Sequence, residues 1–376
     1  GGVQGLQREG RPGCARGGSL APADQGASPL RAQAPGLVLR VALWLVLGVC
    51  DRALGGCAAS LRLSDSRGVG CCPHAAAQAA PEEKKEEKLP YTVKPLDGFA
   101  WDLYAQEPLV QDPVSFAIDD LGNLFVAESF RQEKGIEDNR SSKFWLNDDL
   151  QSRTVADRLK MYEKWASKRE GGMDYYRRQE DRVTHVRDTK GAGFADAVTN
   201  FSGDMREPLD GTGAGVMYLD GSVWYTCIPN LWRFRDTKAA GTADVREKVF
   251  TGFGIRTALR GHDMHGLVQG PDGRIYWSIG DRGYSVRTKE GALLEDPGSG
   301  AAFRCEPDGT GLEVFHRGLR NPQELAFNDL GDLFTVDNNS DGGDKARVCY
   351  LPDGGETGWE MPYQTLEGSN KRGPWE

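Results

Sequence analysis

Two nine-residue segments, DTKGAGFAD at 188–196 and DTKAAGTAD at 236–244, repeat 48 residues apart. Each follows a stretch ending in a basic residue, His185-Val186-Arg187 and Trp232-Arg233-Phe234-Arg235. Each precedes a β-rich stretch and a glycine, at 198–203 and 249–252. Pro307-Asp308-Gly309-Thr310-Gly311, before residues 313–318, is a weaker third copy. A chain that repeats at such an interval stacks similar units, each burying the face its neighbour leaves open.

The unit contains hairpins. Around residues 260–284 (RGHDMHGLVQGPDGRIYWSIGDRGY), strand Leu267-Val268-Gln269 meets a turn at Gly270-Pro271-Asp272-Gly273 and then a strand over 274–279. Proline presets φ and glycine supplies positive φ, so Pro-Asp-Gly between two apolar runs predicts a hairpin. The form recurs at 113–129, at 215–226 around Asp220-Gly221, and at 325–336 around Leu330-Gly331-Asp332. A period of about 50 residues with four short strands per unit is the pattern of a β-propeller blade. The fold expected is all-β. About four hairpin units are visible and the chain stops at Trp375-Glu376 without a closing strand, so truncation at the C-terminus, or continuation into further blades, is expected. Residues 140–182 break the period: they are charge-rich, with Leu159, Tyr162, Trp165 and Ala166 at helical spacing, and read as a helical insertion between blades.

Composition separates this body from what precedes it. Residues 1–80 carry eight Arg against four acids and no Lys, Ile, Thr, Asn, Phe, Tyr or Met; the remainder holds 38 basic and 51 acidic residues. They read as a leader outside the fold, expected to be disordered. Within it, 37–49 (LVLRVALWLVLGV) suits a signal-peptide core, Leu54-Gly55-Gly56-Cys57 resembles a lipoprotein box, and 75–80 offers a small-residue cleavage site. Export to the periplasm or the membrane-associated envelope is expected, with attachment through the N-terminus. Residues 81–90 (PEEKKEEKLP) read as a charged linker, and 91–376 as the propeller. A net charge of −9 argues against nucleic acid. Cys227, Cys305 and Cys349 lack metal-type spacing and read as buried thiols.

The hairpin also carries chemistry. His262 precedes its first strand and Asp281 follows its second, so both are expected at one sheet end, where a carboxylate-held imidazole makes a general base. His265 is expected to line the same region, whereas His185 and His316, in strand patterns, read as structural. Arg320-Asn321 before Pro322 suits a structural turn, since Asn before Pro is common loop chemistry. Asp337, Asn339 and Asp341 form an acidic turn of hard oxygen donors.

With these positions set out, His262-x7-Gly270-Pro271-Asp272-x-Arg274-Ile275-Tyr276, Ile279-Gly280-Asp281-x-Gly283 and Gly318-Leu319-Arg320-Asn321-Pro322-Gln323 resemble the soluble quinoprotein glucose/sorbosone dehydrogenases. That family is a six-bladed propeller carrying pyrroloquinoline quinone (PQQ) and calcium. Asp97-Gly98-Phe99, Glu107-Pro108-Leu109 and Ala127-Glu128-Ser129 look like the large bacterial membrane-bound dehydrogenases of the PVC haem-binding type, in which a cytochrome c domain follows. The resemblance covers roughly 92–376. It implies His262 as the base that takes a hydroxyl proton, Asp281 as the acid that orients it, and Arg320 and Asn321 as quinone contacts. It implies calcium near Asp337, Asn339 and Asp341, although Asp337-Asn338 stands where the family has Gly-Pro. The DTKGAGFAD and DTKAAGTAD segments resemble calcium loops, with Lys190, Ala192, Lys238 and Ala240 at would-be ligand positions.

The function expected is oxidation of a sugar or other alcohol, with electrons passed to a haem c domain or protein outside this chain. The alternatives are a calcium-dependent lactonase-type hydrolase and a non-catalytic propeller binding carbohydrate or protein.

Overall fold

The computed structural model describes residues 97–98, 102–132 and 134–375. The leader, its apolar run and the charged linker lie outside the described residues. Four antiparallel sheets form the blades of a propeller. The first is β1 (Pro113–Ile118), β2 (Leu124–Glu128), β3 (Asp181–Arg187) and β4 (Ala197–Met205). The second is β5 (Gly215–Leu219), β6 (Ser222–Cys227), β7 (Asn230–Arg235) and β8 (Val245–Thr251). The third runs β9 (Met264–Gln269), β10 (Ile275–Ile279), β13 (Gly300–Cys305) and β14 (Glu313–Leu319), with a separate ribbon, β11 (Tyr284–Arg287) and β12 (Leu293–Asp296), between β10 and β13. The fourth is β15 (Pro322–Phe327), β16 (Leu333–Asp337) and β17 (Arg347–Leu351); a short strand, β18 (Gly355–Glu356), adds in parallel to β14. The described residues thus hold four blades, where six were expected.

The turns close for the expected reason. Asp220 and Gly221 both sit at positive φ, 48° and 71°, the two-residue turn that matches strand twist. The Gly270 N–H donates to the Arg274 carbonyl at 2.8 Å and the Gly273 N–H to the Gly270 carbonyl at 2.9 Å. The same pair of bonds closes 119–123, 306–310 and 328–332. In the two repeated loops, Asp188 accepts the amides of Ala192 and Gly193, and Asp236 those of Ala240 and Gly241. These carboxylates are satisfied by their own loop, which accounts for the repeat without a metal.

The core lies between blades. Strand side chains alternate, so Ile275, Trp277 and Ile279 pack with Trp224, Leu231 and Phe250 of the second blade, while Tyr276 packs with Leu325, Leu333 and Cys349 of the fourth. A strand buried on both faces reads as the mostly apolar run IYWSI, whose one polar residue, Ser278, donates to the Pro322 carbonyl. Phe125, Val183 and Phe201 of the first blade meet Val216, Tyr225 and Phe234 of the second. Cys227, Cys305 and Cys349 are free and buried. His185 stacks on Phe125 at 4.4 Å, and His316 bridges the Pro352 carbonyl and the Thr357 hydroxyl.

The insertion corrects one expectation. It joins β2 to β3 inside the first blade, whose strands still pair from Leu124↔Val186 to Glu128↔Arg182 across it. It contains α1 (Leu146–Gln151) and α2 (Val155–Trp165); α2 starts at a capping box between Thr154 and Asp157. Met161 and Tyr162 of α2 pack on Trp145 and Tyr176.

Candidate functional site

The β1–β2, β5–β6, β9–β10, β13–β14 and β15–β16 turns lie at one end of their blades; the long connections β2–β3, β4–β5, β8–β9, β10–β13 and β16–β17 and the short β14–β15 link lie at the other. Ile279 pairs with Met264, so the residues beyond them, Asp281 and His262, meet at that end. Gly280 permits the approach: a Cβ there would sit 2.8 Å from both the Cβ and the carbonyl oxygen of His262. His262 Nδ1 lies 2.7 Å from Asp281 Oδ1, both side chains buried. A carboxylate can only accept, so Nδ1 carries the hydrogen and the Nε2 lone pair is left as the base.

The other carboxylate oxygen of Asp281 accepts the Trp359 indole N–H at 2.8 Å, and the Asp281 amide donates to the Arg320 carbonyl at 2.8 Å. Burial pushes the Asp281 carboxyl up, but the charge and hydrogen bond of His262, the charge of Arg320 and the Trp359 bond together hold it below the usual range. His265 lies one strand position inside, with Nε2 donating to the Gly261 carbonyl at 2.9 Å; burial holds its imidazole below the ordinary value. Asp263, between the histidines, forms a buried ion pair with Arg282 at 2.6 Å.

Arg320 and Asn321 lie in the link from β14 to β15. Their amides donate to the two oxygens of Asp337, at 2.9 and 2.6 Å. Burial pushes the Asp337 carboxyl up despite those amides. The Arg320 guanidinium, almost wholly buried, reaches Asn338 Oδ1 at 2.6 Å, Gln364 Oε1 at 2.8 Å and Asp341 Oδ2 at 3.2 Å. Its plane lies over the Trp359 ring, 5.4 Å from the centroid. The buried Asn321 Oδ1 has no hydrogen-bond partner among the described residues.

The structure therefore joins His262, Asp281, Arg320, Asn321 and Asp337 in one chain of contacts, with His265 beside it. An amide oxygen without a partner among the described residues, next to a guanidinium already held by three acceptors, suits a quinone's polar rim. The same residues do not make a calcium cage: Asp337 serves two amides, Asp341 serves Arg320, and Asn339 is half-buried between them. Among the described residues no group of three or more His, Cys, Asp or Glu side chains could hold a metal ion. Sequence reasoning missed Trp359, Gln364 and the holding role of Asn338. The first two reach the site from far along the chain, and no spacing announces them.

Residues 90–353 match a family described as a domain of unknown function, DUF7133. No curated protein matches the chain. Among solved structures, the chain is similar to a PQQ-bound aldose sugar dehydrogenase from Streptomyces coelicolor, at 18% identity and a TM-score of 0.38 over 66% of this chain and 63% of that one. A putative oxidoreductase (glucose dehydrogenase) from Thermus thermophilus gives 17% identity, 0.38, and 66% and 64%. The PQQ domain of a pyranose dehydrogenase from Coprinopsis cinerea gives 11%, 0.33, and 64% and 48%. The chain thus spans under two thirds of the length of each, and likenesses this remote carry no argument about activity. By the match over most of its length, the chain belongs to the DUF7133 family.

Proposed function

We propose that the chain is a quinoprotein-like dehydrogenase propeller that oxidises a sugar or another alcohol. The observation that carries this is the buried His262–Asp281 pair, in which the imidazole is oriented through Nδ1 and Nε2 has no hydrogen bond among the described residues, near the buried Arg320 cation. His262 Nε2 takes the substrate hydroxyl proton, and the ionised Asp281 stabilises the imidazolium that forms. PQQ, when bound, supplies the hydride acceptor. Arg320 and Asn321 would hold it, the guanidinium stabilising negative charge and the amide fixing orientation. Electrons would then pass to a haem c domain or protein, in an exported or envelope-bound assembly. The metal role expected of Asp337, Asn339 and Asp341 requires Arg320 to release Asp341.

The test is titration of the protein with PQQ, with and without Ca²⁺, followed by quinone absorbance and dye-linked oxidation of sugars and alcohols. Saturable PQQ binding that weakens in Arg320→Ala, with turnover falling at least about 100-fold in His262→Ala, is the expected result. Absence of PQQ binding by folded protein in both arms overturns the reading and leaves the lactonase-type and binding-propeller alternatives.

A further inference from the structure

Trp359 is fully buried and its backbone is stitched to the third blade. The Thr357 amide donates to the Arg317 carbonyl at 3.0 Å, the Trp359 amide to Gly318 at 2.9 Å and the Met361 amide to Gly298 at 2.6 Å. The backbone is thus fixed on both sides of the indole. The ring meets Asp281, Arg320 and Tyr363. Its Nε1–H donates to Asp281 Oδ2 at 2.8 Å, its face carries the Arg320 guanidinium, and Tyr363 packs edge-on at 5.7 Å.

A carboxylate held at one oxygen only can rotate about its Cβ–Cγ bond and swing its acceptor out of the imidazole plane. Here His262 holds Oδ1 and Trp359 holds Oδ2, so the plane is fixed by two charge-assisted bonds from elements 78 residues and 19 residues away. We propose that Trp359 is the positioning residue of this pair: its indole N–H locks the Asp281 carboxylate, and through it the Nδ1–H tautomer and ring orientation of His262. The same ring seats Arg320, so one side chain registers the base against the cation. The inference deepens the dehydrogenase reading and rests on it for its catalytic meaning, whereas the locking itself involves only groups of this chain.

Other charged and titratable groups near the pair are Arg320 from the β14–β15 link, Asp337 at the end of β16, Arg256 from the β8–β9 connection, and His265 of β9. Trp359→Phe keeps an aromatic ring under Arg320 and removes the N–H donor together with part of the buried indole volume.

The experiment is ¹⁵N spectroscopy of the His262 imidazole, without cofactor, above its titration range. The wild-type ring is expected almost entirely in the Nδ1–H form. In Trp359→Phe the ratio of Nδ1–H to Nε2–H should fall at least about twofold, the coupling expected between two bonds to one carboxylate. An unchanged ratio in folded Trp359→Phe overturns the proposal. Should that variant not fold, the wild-type protein still decides. Its Trp359 indole proton resonance should shift with pH at the same midpoint as the His262 ring, and an indole signal indifferent to that titration overturns the proposal. Failure to bind PQQ would overturn the dehydrogenase reading while leaving both resonance patterns as stated, so the two failures are distinguishable.

Discussion

The carboxylate of Asp149, in α1 of the insertion, accepts the Thr257 amide at 2.6 Å and the Ala258 amide at 3.2 Å, in the loop that leads to His262. Asn139 adds a third donor at 2.5 Å, Tyr162 reaches the Thr257 hydroxyl at 3.1 Å, and Arg256 returns a bond to the Leu150 carbonyl at 2.9 Å. The insertion is therefore the clamp on the loop that carries the candidate base, not a decoration of the blade edge. Asp149→Ala would strand two buried amides. Each costs about 1–3 kcal/mol, so the urea midpoint should fall with m unchanged, and amide exchange at Thr257 and Ala258 should speed up before global unfolding. Unaltered exchange at those two amides would count against the clamp.

Gly280 offers a sharper perturbation of the pair. Its φ is not in the left-handed region, so alanine there meets no backbone penalty; the obstacle is the contact of the added Cβ with the backbone and Cβ of His262 at 2.8 Å. Gly280→Ala should therefore push His262 away from Asp281 and cost about 1–3 kcal/mol of stability. Turnover should fall far more than the affinity for the cofactor, because the base moves while Arg320 stays. Equal losses in both would mean that the whole site had collapsed.

Two buried acids should give opposite pH signatures. Asp181 accepts the amides of Phe130, Arg131 and Gly213, yet burial pushes its carboxyl up to about 6 from 3.8. A folded pKa above the unfolded one gives stability that is present below about pH 4 and lost as pH rises to about 6, on the order of 3 kcal/mol. Asp281 is depressed, so its contribution is present above the unfolded pKa of about 4 and lost as pH falls through the folded value. Unfolding free energy measured from pH 3 to 8 should show both slopes. Asp281→Asn should remove the acid-side loss and Asp181→Asn the loss between pH 4 and 6, whatever either does to absolute stability.

Much of the blade architecture was legible because it is local. The Gly270–Arg274 turn needs a glycine at positive φ, and the alternation in Ile275–Ile279 needs only neighbouring strands. The bond between His262 and Asp281 was legible for the same reason, since one hairpin brings them together. The insertion was misplaced between blades because a break in the period looks the same whether it splits a blade or separates two; only the pairing of β2 with β3 decides. Trp359 and Gln364 were illegible, since their contacts to Asp281 and Arg320 follow from how the chain after β17 folds back over the third blade. The turn at Asp337, Asn339 and Asp341 suits a cation by composition, and Asp341 meets the Arg320 guanidinium at 3.2 Å.

Arg320 shows how far its charge is shared. Its fork engages Asn338, Gln364 and Asp341 while lying on Trp359, and a single ammonium cannot reach all three acceptors in that plane. Arg320→Lys should keep the charge and still lose about 0.5–1.5 kcal/mol, because acceptors that are only partly buried recover some of the lost bonds from water. In a double-mutant cycle, Gln364→Ala should be strongly damaging beside Arg320 and nearly silent beside lysine, giving a coupling of about 0.5–3 kcal/mol. A coupling near zero would mean that Gln364 is not held by the fork in solution. It would then free the guanidinium for a ligand more fully than the structure shows.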